Sequence, residues 1–127
     1  MNENEIGKII VDCAFKVHVK LGPGLLESIY EICLAYELEK SGLLVKRQVP
    51  VRIEYDDIVF NEGFRADLIV ENKVFVELKS KESISRSDKK QTLSYIRLSK
   101  KKLGYLINFG AEKIKDGLTR FVNGLDE

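Results

Sequence analysis

The stretch FRADLIVENKVFVELKS, Phe64 to Ser80, constrains the fold more than any other part of the chain. Ala66, Leu68 and Val70 alternate through its first half and Val74, Val76 and Leu78 through its second, so each half reads as a half-buried β-strand. Glu71, Asn72 and Lys73 then form a three-residue hairpin loop. With that loop, Val70 faces Val74, and counting outward puts Asp67 directly opposite Glu77, both side chains on one side of the sheet. Opposed residues of two strands have Cβ atoms about 4.5–5.5 Å apart, a separation at which two carboxylates repel. A divalent cation gripped by both would invert that repulsion. Lys79, two residues beyond Glu77, shares its face because side chains alternate along a strand.

The rest of the chain frames this hairpin. Ile6, Ile10, Cys13, Val17 and Leu21 recur at helical spacing between Glu3 and Leu21, and the LGPG sequence at Leu21–Gly24 stops them. A second helix is expected from about Leu25 to Ser41, with Leu26, Ile29, Tyr30, Cys33, Leu34 and Leu38 inward and Gly42 as its stop. The period then changes. Val45, Val49, Val51 and Ile53 occupy alternate positions, Asp56 and Asp57 mark a turn, and Ile58-Val59-Phe60 leads into the hairpin. Ser85 or Ser87 can cap a third helix running to about Ser99. Lys102–Gly110 reads as a buried strand, and Leu118 to Val122 as a short final element. At 127 residues the chain is expected to be one domain, 1–127, with a core of its own.

With 44% hydrophobic and 32% charged residues the composition is that of a soluble globular protein, and no apolar run approaches the roughly 20 residues that span a bilayer. MNENEIGKII lacks the basic start of a secretory signal, so a cytoplasmic location is expected. Cys13 and Cys33 fall on apolar helical faces and read as small core residues, not a redox centre. His18, the only histidine, cannot build a histidine-metal site or a triad alone and is assigned a structural role near the LGPG turn. The net charge of +1 hides an asymmetry: Lys79 to Lys102 carries nine basic residues against two acids. A charge run is commonly a solvated face, but this one adjoins the carboxylates, which favours a phosphate-bearing partner.

An Asp in one strand followed by E-x-K in the next, here Asp67, Glu77 and Lys79, resembles the PD-(D/E)xK nuclease superfamily. Gly24-Leu-Leu-Glu27-Ser-Ile-Tyr30, preceded by VHVKLGP, is similar to the block that names the GxxExxY family, a small group usually assigned to that superfamily. The superfamily's proline is replaced by Ala66. The resemblance implies an α/β (α+β) restriction-endonuclease-like core, with a mixed sheet of about four to five strands flanked by helices. It also implies a metal-dependent nuclease cutting phosphodiester bonds, with DNA favoured over RNA as substrate. Asp67 and Glu77 would bind Mg²⁺ or Mn²⁺, and Lys79 would act on the nucleophile or the developing charge. Glu27 either caps the rim of an amphipathic helix or completes the metal site; the resemblance favours the latter. Gln91 and Tyr95 match a Q-x-x-x-Y motif of the exonuclease-like branch. They share a helical face, so Gln91 is expected to turn inward with Tyr95 and Leu98. Lys81, Arg86, Lys89 and Lys90 are the expected contacts to the nucleic-acid backbone, and a homodimer is one way for so small a chain to cut both strands. The alternative is an inactive module of the same fold that binds nucleic acid or a protein partner.

Overall fold

The glycine stops lie where the two N-terminal helices end. A computed structural model describes residues 1–126. Helix α1 (Glu3–Leu21) opens on a capping box in which Asn2 and Glu5 bond reciprocally, and it ends at Gly22, whose N–H donates to the His18 carbonyl. Helix α2 (Glu27–Lys40) follows the LGPG turn, with Gly22 and Gly24 at left-handed φ of 71° and 97°. The strands are β1 (Val45–Tyr55), β2 (Ile58–Val70) and β3 (Val74–Lys79). Helix α3 (Arg86–Leu98), capped reciprocally by Ser85 and Asp88, leads to β4 (Leu103–Asn108), a 3-10 turn (Ile114–Gly117) and β5 (Leu118–Val122).

The strands form one mixed sheet in the order β1-β2-β3-β4-β5, in which only β3 and β4 run parallel. α3 is the crossover that a parallel pair requires. Val70 pairs with Val74 and Leu68 with Val76, the register expected from a three-residue loop. The loop carries left-handed φ of 54° at Glu71 and 56° at Asn72, the signs required by a type I′ turn, and Lys73 N–H donates to the Val70 carbonyl at 3.0 Å.

The sheet is buried on both faces. Leu68, Val70, Val74, Val76 and Leu78 pack with Ile6, Ile10 and Val17 of α1 and with Tyr30, Leu34 and Leu38 of α2. On the opposite face Phe64, Ala66, Ile69 and Phe75 pack with Ile96 of α3.

The inward stripe of α2 differs from the expected one. Tyr30, Glu31, Leu34, Ala35, Glu37 and Leu38 are buried, whereas Leu26 is 71% exposed and Ile29 lies at the surface. Apolar residues occur around most of this helix, so spacing alone cannot fix its rotation, and two glutamates occupy positions inside the stripe. In α3 the buried residues are Thr92 and Ile96, with Tyr95 half-buried and Leu98 exposed. Gln91 is therefore at the surface rather than turned into the core. The helix seats itself by Ile96, whose side chain lies over Gly104 so closely that a Cβ there would collide with it.

Candidate active site

Asp67 and Glu77 meet where β2 and β3 part. The strand ladder runs from Val70 and Val74 to Leu68 and Val76, and at the next residue the Asp67 side chain takes over: its Oδ2 accepts the Leu78 backbone N–H at 2.8 Å. β2 stays paired to β1 beyond this point, with Ala66 facing Val49 and Phe64 facing Val51.

Glu77 is buried, at 7% exposure, and its Oε1 has no hydrogen-bond partner among the described residues. Burial first, then the adjacent Asp67 carboxylate and a hydrogen bond to it, together push its carboxyl up to about 8 against the opposing pull of Lys79. Lys79 is half-buried at the end of β3, opposite Asn108 of β4. The chain leaving β3 is held firmly: buried Asn108 accepts the Lys81 N–H at 3.0 Å and donates to the Lys81 carbonyl at 2.8 Å.

Glu27 stands in the first turn of α2, exposed, with its carboxyl raised by partial enclosure; Lys79 counters that shift, and Asp67 and Glu31 add to it. Its placement depends on Tyr30. The Tyr30 hydroxyl donates to the Gly22 carbonyl at 2.5 Å and accepts the Leu25 N–H at 3.1 Å, while its ring stacks on Phe109 at 4.5 Å between centroids. Ser80, just beyond Lys79, donates to the Leu25 carbonyl at 2.5 Å. The LGPG turn is thus clamped from both sides, by the core tyrosine and by the exit of β3. His18 has the expected structural position, with Nε2 2.8 Å from the Ala111 carbonyl oxygen.

Three residues that sequence spacing did not single out support Asp67. Glu31, buried in α2, accepts from Arg47 Nη2 at 2.9 Å and Nε at 3.1 Å through one oxygen, and from Gln48 Nε2 at 2.6 Å through the other. Gln48 Nε2 also lies 3.3 Å from Asp67 Oδ1. Gln48 has a left-handed φ of 51° inside β1, a conformation that costs a non-glycine residue about 1–2 kcal/mol. The only available signal was Glu31 itself, one turn after Glu27 on the stripe of Tyr30, Leu34 and Leu38. A buried carboxylate demands a cationic partner, but nothing in the spacing says that the partner is Arg47.

Of the α3 residues, Tyr95 stacks on Phe64 with centroids 3.9 Å apart, and Gln91 is exposed one turn earlier. Lys81 is ion-paired to Asp88 at 2.8 Å, which with Ser85 holds the Asp88 carboxyl down at about 2. Arg86, Lys89 and Lys90 are exposed at the N-terminal end of α3. The apolar hollow of about 280 Å³ between α1 and α2, lined by Val17, Cys33 and Tyr36 among others, lies apart from the carboxylate pair.

A five-stranded mixed sheet flanked by three helices, with an aspartate and an E-x-K pair converging where two strands part, defines a restriction-endonuclease-like fold. The model of the PD-(D/E)XK nuclease superfamily matches residues 4–121, and the chain belongs to that superfamily. No curated protein and no solved structure gives a significant match to it.

Nucleases of this superfamily generally use divalent metals. The residues present fit such an ion: two hard oxygen donors are held close enough to share a proton, and the buried Glu77 Oε1 has no other partner among the described residues. The fit is that of a pair. Among the described residues no three His, Cys, Asp or Glu side chains are gathered as a ligand set, and Glu27 reaches Asp67 and Glu77 only as a neighbouring charge.

Proposed function

We propose that the chain is a metal-dependent nuclease of the GxxExxY family, acting as a single catalytic domain (1–127) in the cytoplasm and cutting phosphodiester bonds of DNA in preference to RNA. The observation that carries this reading is the Asp67–Glu77 pair: a buried carboxylate oxygen without a partner, beside a second carboxylate, with Lys79 next along the strand. Without a cation such a pair can hold only one full negative charge at neutral pH, Glu77 keeping its proton, and that burden has a physical reason if the pair is the working site.

Asp67 and Glu77 would hold Mg²⁺ or Mn²⁺, with Glu27 reaching it through water from the start of α2. The bound ion would supply Lewis-acid polarisation of the phosphate and a more acidic water. Lys79 contributes a fixed positive charge where the pentavalent phosphorane gathers negative charge, and being half-buried it does so with little solvent screening. Its charge also favours the ionised form of Glu77. Leu78 N–H and Gln48 fix the Asp67 carboxylate so that its orientation does not depend on the substrate. Gln91, on the exposed face of α3, would contact the phosphate, and Tyr95 would set the helix by its stack on Phe64. Lys81, Arg86, Lys89 and Lys90 would add charge at the entrance, Lys81 less than the others because Asp88 already neutralises it. Cutting both strands of a duplex would take a homodimer or successive binding events.

The test is incubation of the purified protein with labelled single- and double-stranded DNA and RNA, with Mg²⁺, Mn²⁺ or EDTA, alongside Glu77→Gln and Lys79→Ala. Metal-dependent cleavage that both substitutions abolish supports the reading. No cleavage, together with no metal-dependent rise in melting temperature, would reject it in favour of an inactive module that binds nucleic acid or protein.

A further inference from the structure

Helix α2 is apolar on two opposite sides. Tyr30, Leu34 and Leu38 enter the core, while Leu26, Ile29, Ile32 and Tyr36 form a second stripe at the surface, with Ile32 53% and Tyr36 62% exposed. Residues three or four apart share a helical face, so the outer stripe is continuous, and a helix that is apolar all round belongs between two partners rather than against water. The core is one partner. Among the described residues nothing covers the other side.

The hollow of about 280 Å³ between α1 and α2 opens beside this stripe, lined by Ile32 and Tyr36 together with Val17, Leu21 and Cys33. Glu37 lines it too. Glu37 is 7% exposed, and its Oε2 is buried without a hydrogen-bond partner among the described residues. Lys16 Nζ lies 3.8 Å from that oxygen, near enough for an ion pair and too far for a hydrogen bond. A buried acceptor in an apolar hollow calls for a donor carried on an apolar body. Ligand pockets run from roughly 300 to 1,000 Å³, so this smaller hollow suits one side chain of a partner rather than a whole ligand.

Charge and area define the partner. Lys16, Lys20 and Lys40 flank the stripe against Glu37 and Glu39, a mixed face without the strong positive field that a nucleic-acid backbone would favour. Such a face can meet a copy of itself, residue i on residue j and j on i, with little net charge to oppose the contact. A helix the length of α2 is about 21 Å long and two helices are about 20 Å wide, roughly 400 Å² of face. A standard interface covers about 800 Å² per partner, so the contact is weak and dissociates on dilution.

We propose that the outer face of α1 and α2 joins two copies of this chain about a two-fold axis, with Tyr36 of each copy entering the hollow of the other and its hydroxyl donating to Glu37 Oε2. Tyr36 is the side chain of the stripe that carries both an apolar body and a donor. The choice of a second copy rests in part on the nuclease reading, since each chain carries one Asp67–Glu77 site and cutting both strands of a duplex at once takes two.

The test is sedimentation velocity of the full chain in EDTA, without nucleic acid, from about 1 to 500 μM, a range that brackets a micromolar Kd. The parent should move from the mass of one chain to that of two as concentration rises. Ile32→Glu, at an exposed position, should melt like the parent at low concentration and raise Kd at least about 30-fold, a carboxylate being buried in an apolar contact. Tyr36→Phe should raise Kd about tenfold, the loss of one hydrogen bond to a charged acceptor. Phe60→Glu, comparably exposed on β2, should dimerise like the parent. A parent that stays a single chain throughout, parent-like dimerisation by Ile32→Glu or Tyr36→Phe, or an equal loss in Phe60→Glu overturns the proposal. Cleavage is measured separately. A single chain that cuts leaves the nuclease reading standing without this interface, and a dimer that neither cuts nor binds metal leaves the interface standing without that reading.

Discussion

Asp67 accepts the Leu78 backbone N–H through Oδ2 at 2.8 Å, so a side chain replaces the main chain as the link between β2 and β3 at the point where the strands part. Structure and chemistry therefore make separate demands on one carboxylate, and substitution can separate them. Asp67→Asn keeps an oxygen acceptor for Leu78 and removes the charge that helps hold Glu77 in its protonated form. Without added metal it should melt at or slightly above the parent, while cleavage falls at least about 100-fold with the loss of a ligand charge. Asp67→Ala leaves the Leu78 N–H without that acceptor, at a cost of about 1–3 kcal/mol, and should melt several degrees below Asp67→Asn. Equal melting temperatures for the two variants would show that the Leu78 bond contributes nothing.

Glu77 makes stability depend on pH in an unusual direction. Its carboxyl lies at about 8 in the folded chain, against 4.5 as the ordinary value. Between those values the folded chain holds a proton that the unfolded chain has released, so stability is fully present below about 4.5, falls as pH rises, and levels off above about 8. In EDTA the parent should lose up to a few kcal/mol across this window, with a falling melting temperature. Glu77→Gln should flatten that dependence and be the more stable protein at pH 8. Mg²⁺ should raise the parent's melting temperature most at the alkaline end, where the pair is ionised. A parent whose melting temperature does not change from pH 5 to 8.5 would contradict the burial of this charge.

Tyr30 tests the clamp on the LGPG turn. Tyr30→Phe keeps the stack on Phe109 but strands the Gly22 carbonyl and the Leu25 N–H, each of which now uses the hydroxyl. A loss of about 1–3 kcal/mol is expected from chemical denaturation, with the slope of the transition unchanged. Because Glu27 begins its helix two residues after Leu25, metal affinity should weaken as well. A stability loss without any change in metal affinity would mean that the turn does not position Glu27.

Much of this fold could be read from local pattern. The hairpin register follows from Val70 and Val74 flanking three loop residues, and the cap at Ser85 and the stops at Gly22 and Gly42 delimit the helices because their chemistry is local. The nearness of Asp67 and Glu77 was legible for the same reason, but not their geometry: the ladder stops one pair short of them, at Leu68 and Val76, and Asp67 turns to the Leu78 N–H instead. The rotation of α2 and the seat of α3 were not legible either. Leu26 and Gln91 were expected inward, and both are at the surface, because which side of a helix is buried depends on what it packs against: Tyr30 against Phe109, and Ile96 against Gly104. The Arg47–Glu31–Gln48–Asp67 chain also escaped, since it joins α2, β1 and β2 across 16 to 19 residues and leaves no periodic trace.

Lys79 should separate binding of the metal from catalysis. Lys79→Ala removes a positive charge that now favours ionised Glu77 and takes away no ligand. Cleavage should fall about 10²- to 10³-fold, the usual cost of one preorganised transition-state donor, whereas Mn²⁺ binding followed by calorimetry should survive. The pH needed to ionise Glu77 rises in this variant, so metal binding should shift to higher pH. Loss of Mn²⁺ binding at every pH would instead make Lys79 a structural support for the carboxylates.

Gln48 offers the sharpest division between stability and function. Its left-handed φ of 51° costs about 1–2 kcal/mol, and in return its amide reaches Glu31 at 2.6 Å and Asp67 at 3.3 Å. Gln48→Gly relieves the backbone and loses both contacts, two changes that act in opposite directions, so its melting temperature should lie close to the parent's. Gln48→Ala loses the contacts and keeps the strain, and should melt a few degrees lower. Both variants leave Asp67 held by Leu78 alone, with freedom about its χ2. Cleavage should therefore drop about tenfold in each, and metal affinity should weaken alongside it, since a ligand that must be ordered on binding contributes less. Glycine and alanine variants with different stabilities and the same loss of activity would identify the amide as the functional part. Activity that instead followed melting temperature through the series would reduce Gln48 to a packing residue.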